Sequence, residues 1–228
     1  MTSSVQSLTD PVIAKYREQY AALSADLPGA EHGWITSLRD QAMSAAARIG
    51  LPTRRVETWK YTDLRPIHRA EFSAVAASEV TASMLDPYKL DDAFVAVFVD
   101  ACFVLALSQL EGLPDGMEFS SLADALKLGD KGPLEGLSDV VELEQPGYAA
   151  LNTVLMQDGG VCRIADNVSV EKPVQFIFVS TENSSVELHL RNLIVAGVNS
   201  KATVMQSFVS LGASSGFSDV VTEAVLGQ

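Results

Sequence analysis

Apolar side chains at Val12, Tyr16, Tyr20, Leu23 and Leu27 recur every three or four positions. That period predicts an amphipathic helix, begun by Asp10 as N-cap with Pro11 behind it and stopped by Pro28-Gly29. Trp34, Leu38, Ala42, Ala45 and Ile49 repeat the pattern until Gly50 and Leu51-Pro52 end it, so two helices open the chain. Past an alanine-rich, weakly patterned stretch at 70–83, the texture turns to short runs rich in Val and Phe. Residues 94–99 and 103–107 flank Asp100-Ala101 as the arms of a hairpin. Ala at the second turn position would cost about 1 kcal/mol relative to Gly, or force another turn type. Ser120 or Ser121 can cap a short helix through Leu122, Ala125 and Leu126 that Gly129 ends, with a loop at 129–133.

From Tyr148 onward only strands and turns are expected. The turns fall at Asp158-Gly159-Gly160, Asp166-Asn167, 182–185, 198–200 and 212–216. Val168-Ser-Val170-Glu, Val174-Gln-Phe176-Ile-Phe178 and Val186-Glu-Leu188-His-Leu190-Arg alternate with a period of two, which predicts one buried face per strand. Similar apolar positions return near Val168, Val186, Val204 and Thr222, a spacing of 18. Stacked coils of a β-solenoid would give such a recurrence. A β-sandwich fits the same strands, and the pattern alone leaves both open.

A chain of 228 residues with 47% hydrophobic content has enough apolar surface for a sizeable core. No leader-like N-terminus and no run of 18 to 20 apolar residues is present, so a cytoplasmic protein without membrane contact is expected. Residues 1–70 carry nine Lys/Arg against seven Asp/Glu, whereas 71–228 carry seven against twenty-two. The resulting negative field argues against nucleic acid and anionic lipid as partners. Cys102 and Cys162 stand sixty positions apart, which suits two small buried hydrophobes better than a disulfide framework or metal pair.

Candidate chemistry is sparse. Ser169, Glu171, Glu187, His189, Arg191 and Lys201 are expected to face outward, and a Glu187/His189/Arg191 row could in principle support acid–base work. A solvated sheet face explains the same residues. His32, His68 and His189 lie in separate segments without metal-ligand spacing, and neither Asp158-Gly159-Gly160 nor 112–116 has the context of a phosphate loop. The densest cluster is Arg54-Arg55-Val56-Glu57-Thr58-Trp59-Lys60-Tyr61-Thr62-Asp63-Leu64-Arg65. It could hold a nucleotide by stacking and pairing. More simply, Trp59 and Tyr61 anchor the helical region to the strand-rich body while Arg54, Arg55 and Lys60 pair with Glu57 and Asp63.

That cluster, with its lead-in Gly50-Leu51-Pro52-Thr53, resembles the "GLPTRR-x-E-x-WKYT-x-L" signature of SufD proteins in the SufB/SufD family of iron–sulfur cluster assembly proteins. Val97 through Phe103, Leu107-Ser108-Gln109-Leu110, Leu113-Pro114-Asp115-Gly116, Ser121 through Leu126, Ala150-Leu151-Asn152-Thr153 and Arg191-Asn192-Leu193-Ile194 follow in the family's order. Asp100-Ala101 stands where the family tends to have Asn-Gly. The resemblance implies an α+β architecture: a helical N-terminal region at 1–90 that includes the signature residues Arg54, Arg55, Glu57, Trp59, Lys60 and Tyr61, a hairpin and short-helix connection at 91–147, and at 148–228 the first coils of a right-handed parallel β-helix. It also implies a scaffold without catalytic residues, bound cofactor or metal, whose partners are a SufB-type paralogue and a SufC-type ATPase, with clusters held only transiently in the full complex. Family members run to nearly twice this length, so an N-terminal half with an unfinished coil, open to self-association at its edge, is expected. The reading that competes with it is a β-helical carbohydrate lyase or esterase working through Glu187, His189 and Arg191.

Overall fold

The computed structural model describes residues 10–72, 79–145, 147–181, 186–211 and 216–227. Helix α1 (Pro11–Leu23) starts as expected, with Asp10 accepting a hydrogen bond from the Val12 amide. It ends at Leu23, one turn earlier than the apolar spacing suggests. Helix α2 (Gly33–Ile49) ends at Gly50, whose φ of 75° is one that other residues adopt only at a cost. The short helices α3 (Arg65–Arg69) and α4 (Ala82–Leu85) follow. Helix α5 (Leu122–Leu128) is capped by the Ser121 hydroxyl and closed by Gly129 in the left-handed region, and α6 is Ala149–Leu155. None of the described helices is long and apolar enough to cross a membrane.

The strands are β1 (Phe94–Val99), β2 (Cys102–Phe103), β3 (Met117–Ser121), β4 (Gly160–Ile164), β5 (Val174–Thr181), β6 (Glu187–Ala196), β7 (Val204–Leu211) and β8 (Phe217–Leu226). They form two four-stranded sheets, ordered β2-β1-β5-β7 and β3-β4-β6-β8. Pairs β1·β5, β5·β7, β4·β6 and β6·β8 are parallel, and only the outer pairs β1·β2 and β3·β4 are antiparallel. Two facing antiparallel sheets, the sandwich that the pattern left open, are therefore excluded. From β5 onward the chain visits the sheets alternately, and Val174 pairs with Val204 and Glu187 with Phe217, so one circuit takes 30 residues. The 18-residue recurrence is not the coil period: each circuit holds two strands at unequal intervals, and the recurrence tracks neither.

Hydrophobic side chains of both sheets meet between them, with Phe98, Phe176, Leu188 and Leu190 almost wholly buried. Phe98, Phe178 and Phe208 stack at successive levels, with centroid separations of 5.2 and 5.3 Å. The first sheet's other face is covered by Leu85 and its neighbours. The second sheet's other face lies under α2, α5 and residues 134–137, and α1, α2 and α6 form an adjoining helical core. Every residue of β5 except Ser180 is therefore buried, and so are the first seven of β6. Alternation identified which residues share a face, but both faces are covered.

The hairpin forms with Phe98 opposite Phe103 and Val99 opposite Cys102. Asp100 and Ala101 take φ values of 46° and 62°, so Asp-Ala occupies the turn that usually favours Asn-Gly. Compensation comes from Asp100, whose carboxylate accepts from the Thr181 amide and hydroxyl. The second arm ends early, and Leu105–Leu107 is a 3-10 turn. Val168–Glu171 is no strand either, retaining a single bridge from Ser169 to Lys201. Asp158-Gly159-Gly160 is strand entry rather than a turn: Asp158 bridges to Leu190 and Gly160 begins β4. A Cβ at Gly159 would lie 1.9 Å from the Arg191 carbonyl oxygen, and one at Gly160 would lie 2.7 Å from the Phe176 ring. Those close approaches explain the glycine pair. The turns at 166–167 and 198–200 are present around Asn167 and Asn199, both at positive φ. The expected turn at 182–185, and 212–215 of the one at 212–216, lie outside the described residues.

Burial, not residue type, sets the cost of removing a ring. Phe176→Ala, at a site with 0% exposure, should lose about 3–5 kcal/mol in urea unfolding. Phe208→Ala, at a site 60% exposed, should lose about 1 kcal/mol.

Candidate functional site

The row expected on a solvated face is instead the interior of a layer interface. Glu187, His189 and Arg191 are 9%, 2% and 0% exposed, and α1, α6 and the 138–140 loop cover them. Period two places these three side chains on the face of β6 opposite Leu188 and Leu190, and parallel pairing with β8 puts Asp219 directly beside His189. His189 Nδ1 lies 3.2 Å from Asp219 Oδ2, while Nε2 lies 3.5 Å from Glu187 Oε1, an ion-pair contact without hydrogen-bond geometry. The Tyr16 hydroxyl reaches across from α1 and donates to Glu187 at 2.6 Å.

Beside this group Arg191 pairs with Glu223 at 2.7 Å, and its remaining donors go to Asn152, Thr153 and Ser138. Glu223 also accepts from the Ser138 and Val140 amides. The Asn152 amide bonds the carbonyls of Leu190 and Asp219, joining α6 to both strands. The array thus holds two cations and three carboxylates: Glu187, Arg191 and Glu223 bond to helix or loop, and His189 and Asp219 bond each other across the strands.

Electrostatics follow from that geometry. Burial alone would strip the proton from His189, but the hydrogen bond to Asp219 and the two flanking carboxylates outweigh it and hold the pKa up to about 9. Burial also pushes the Glu187 carboxyl up, yet His189, the Tyr16 hydroxyl and Lys15 together bring it below its ordinary value. Tyr16 is held in its neutral form by burial and by Glu187. A second acidic hub, Asp158, accepts from the Ser121 hydroxyl and from the amides of Ala123, Gly159 and Phe103, tying α5 and the hairpin to β4; burial raises its pKa against those bonds.

A polysaccharide-cleaving row would need an open groove along the strand, and Arg191 is sealed and its donors committed. Among the described residues no group of three or more His, Cys, Asp and Glu side chains is placed to hold a metal ion. His32 bonds the Lys127 carbonyl and His68 the Tyr148 hydroxyl, each at 2.9 Å, both far from His189 in the chain. Cys162 is buried, but Cys102 is exposed on the short hairpin arm rather than buried as expected. Ser169, Glu171 and Lys201 do lie outward, away from the array.

The comparisons agree on ancestry. The family model for the SufBD protein N-terminal region matches residues 11–176. The chain belongs to the SufBD family. It is 30% identical over 176 residues to the iron–sulfur cluster assembly protein SufD of Escherichia coli, covering 75% of this chain and 38% of that one. An iron–sulfur cluster assembly SufBD family protein of Synechocystis is 23% identical over 218 residues, covering 90% and 47%. SufD of Bacillus subtilis is 23% identical over 207 residues, covering 87% and 47%. The chain therefore spans less than half the length of these relatives.

Within the family signature, Trp59 is half-buried against Tyr148, with ring centroids 6.2 Å apart. Tyr61 is 89% exposed and touches Lys60, so the anchoring expected of two aromatics falls to Trp59. Lys60 pairs with Glu57 and Arg65 with Asp63, while Arg54 bonds the Lys60 carbonyl and Arg55 is exposed. Sequence reasoning missed Asp219, Glu223, Asn152 and Tyr16. A search for opposite charge at the 30-residue coil spacing would have found Asp219 from His189.

Two outcomes are expected. The raised His189 pKa contributes stability that is complete below its ordinary 6.5 and is lost as pH rises through about 9. Urea unfolding should therefore show about 3 kcal/mol of alkaline loss that His189→Gln removes. Glu187 acts oppositely, since its depressed pKa contributes stability above its ordinary 4.5 that is lost as pH falls through the lowered value. Arg191→Met leaves Glu223 buried and uncompensated and should cost about 3–5 kcal/mol in the same measurement. Adding Glu223→Gln should recover part of it, because the amide oxygen still accepts from Ser138.

Proposed function

We propose that this chain is the N-terminal portion of a SufD-type subunit of iron–sulfur cluster assembly, a non-catalytic scaffold that works by binding partner proteins. The family match with the SufBD N-terminal region over residues 11–176 supports the process. The single structural observation that carries the scaffold reading is the pair of in-register parallel ladders whose last strands, β7 and β8, are unpaired on one side among the described residues. A row of unpaired backbone groups on a rigid sheet is a template for another strand, whether from more of the same chain or from a neighbour. Much of β7 is exposed, including Phe208 above Phe178, as befits a level that another layer covers.

In this reading the two alternating sheets are the first turns of a right-handed parallel β-helix, entered through the segment at 91–147 and flanked by the helical region at 1–90. The partners are a SufB-type paralogue and a SufC-type ATPase, in the cytoplasm. Clusters are cargo of the complete assembly and this portion holds no resident cofactor. The signature segment around Arg54, Glu57 and Trp59 supports the helical layer. The carbohydrate-enzyme alternative gains nothing from the geometry, because Arg191 is fully buried with its donors committed, while Glu187 and His189 are engaged by Tyr16 and Asp219.

The test is co-purification of the complete protein with SufB- and SufC-type partners, together with cluster transfer to an acceptor apoprotein. Lysine at Met205, 41% exposed on the edge strand β7, should reduce recovery of partners by about tenfold while leaving the thermal midpoint of the isolated protein within a few degrees. Full recovery of partners by that variant, or cluster transfer by this protein alone at the rate of the complex, defeats the proposal.

A further inference from the structure

Between α1 and the outer face of β6 lies a cavity of about 500 Å³, whose floor includes Glu187 and His189. Leu23, Leu27 and Leu155 form apolar walls, and Lys15, Gln157 and His189 supply polar ones. Size and lining match a small-molecule site, apolar over most of its wall with a few converging polar groups. We infer that this cavity binds a small apolar carboxylate, with the carboxylate toward Lys15, Gln157 and His189 and the hydrocarbon along Leu23, Leu27 and Leu155.

The polarity of the wall selects that class. Lys15 has an ammonium that spends one donor on the Ala70 carbonyl and retains two. Gln157 accepts from the His189 amide through its side-chain carbonyl, which leaves the NH2 group as donor. His189 Nε2 is buried, lies 3.5 Å from Glu187 Oε1 and has no hydrogen-bond partner among the described residues, while Glu187 accepts from Tyr16 at that same oxygen. Two hydrogens on Lys15, two on Gln157 and one on His189 therefore remain as donors around the cavity, against the second oxygen of Glu187 as the acceptor on its floor. An unpaired buried donor is costly, so a ligand oxygen placed there gains more than it would on the surface. A hydroxyl could meet one donor, but only a carboxylate offers two oxygens and a charge to Lys15.

The binding site stands apart from the scaffold reading, and its test involves no partner protein. Octanoate is titrated into the 228-residue chain, followed by calorimetry and by the His189 ring resonances in nitrogen-resolved NMR. Saturable binding at one site, with the His189 ring shifted and octan-1-ol bound at least about tenfold more weakly, is the expected result. Ala22 lines the same cavity from the exposed side of α1. Ala22→Trp should abolish binding with stability unchanged, and Lys15→Met should weaken it about fivefold or more. The inference is overturned by octanol binding as tightly as octanoate, by binding that survives Ala22→Trp, or by the lack of any saturable signal.

Discussion

The contact between helices and sheet in this chain rests on a set of buried charges that must all find partners at once. Most layers in small proteins meet through apolar side chains, whose attraction is non-directional and tolerant. Here the outer face of β6 and β8 offers Glu187, His189, Arg191, Asp219 and Glu223 to the helices. Removing five ionised groups from water is affordable only when each is paired and hydrogen-bonded. Tyr16 from α1, Asn152 and Thr153 from α6 and the Ser138 and Val140 segment supply what the sheet itself lacks. The helices are thereby held in one position, because a rotation or shift of α1 would strip Tyr16 from Glu187.

What the sequence made legible was local. Asp10, Gly50, Ser121 and Gly129 mark helix ends because capping is settled within four residues of chain, and all four mark boundaries as expected. The hairpin at Asp100-Ala101 was legible for the same reason, although the residue that makes the turn tolerable is Thr181, 81 positions away. Alternation in β6 sorted Leu188 and Leu190 from Glu187, His189 and Arg191 correctly, but it carries no information about what lies over either face. The family resemblance, resting on the order of short motifs, added the process that the residues alone did not contain.

What stayed hidden was everything set by the coil period. Strand starts at 174, 187, 204 and 217 alternate between short and long steps, so a search for one uniform spacing finds a false repeat. With the period wrong, His189 and Asp219 look unrelated, and a charged row on an alternating strand reads as solvated. Asp158 was misread similarly: beside two glycines it resembles a turn, yet its carboxylate collects donors from two distant segments, the hairpin at Phe103 and the start of α5 at Ser121 and Ala123.

The same array bears on how the ladders keep register. A slip of one residue between β6 and β8 would exchange the apolar face between the sheets with the charged face under the helices, so the apolar pattern forbids it. A slip of two residues preserves both faces, and the apolar pairs alone tolerate it. Only the charges discriminate: His189 stands opposite Asp219, and Arg191 reaches Glu223 on the diagonal. Displaced by two, His189 would face Phe217 or Val221 and leave a carboxylate buried without a cation. A buried polar group that selects one register among several of similar apolar energy is the best attested use of such groups. In a stack whose edges are offered to further strands, an error in one rung would propagate to the next, and a charge-set rung close to that edge prevents it.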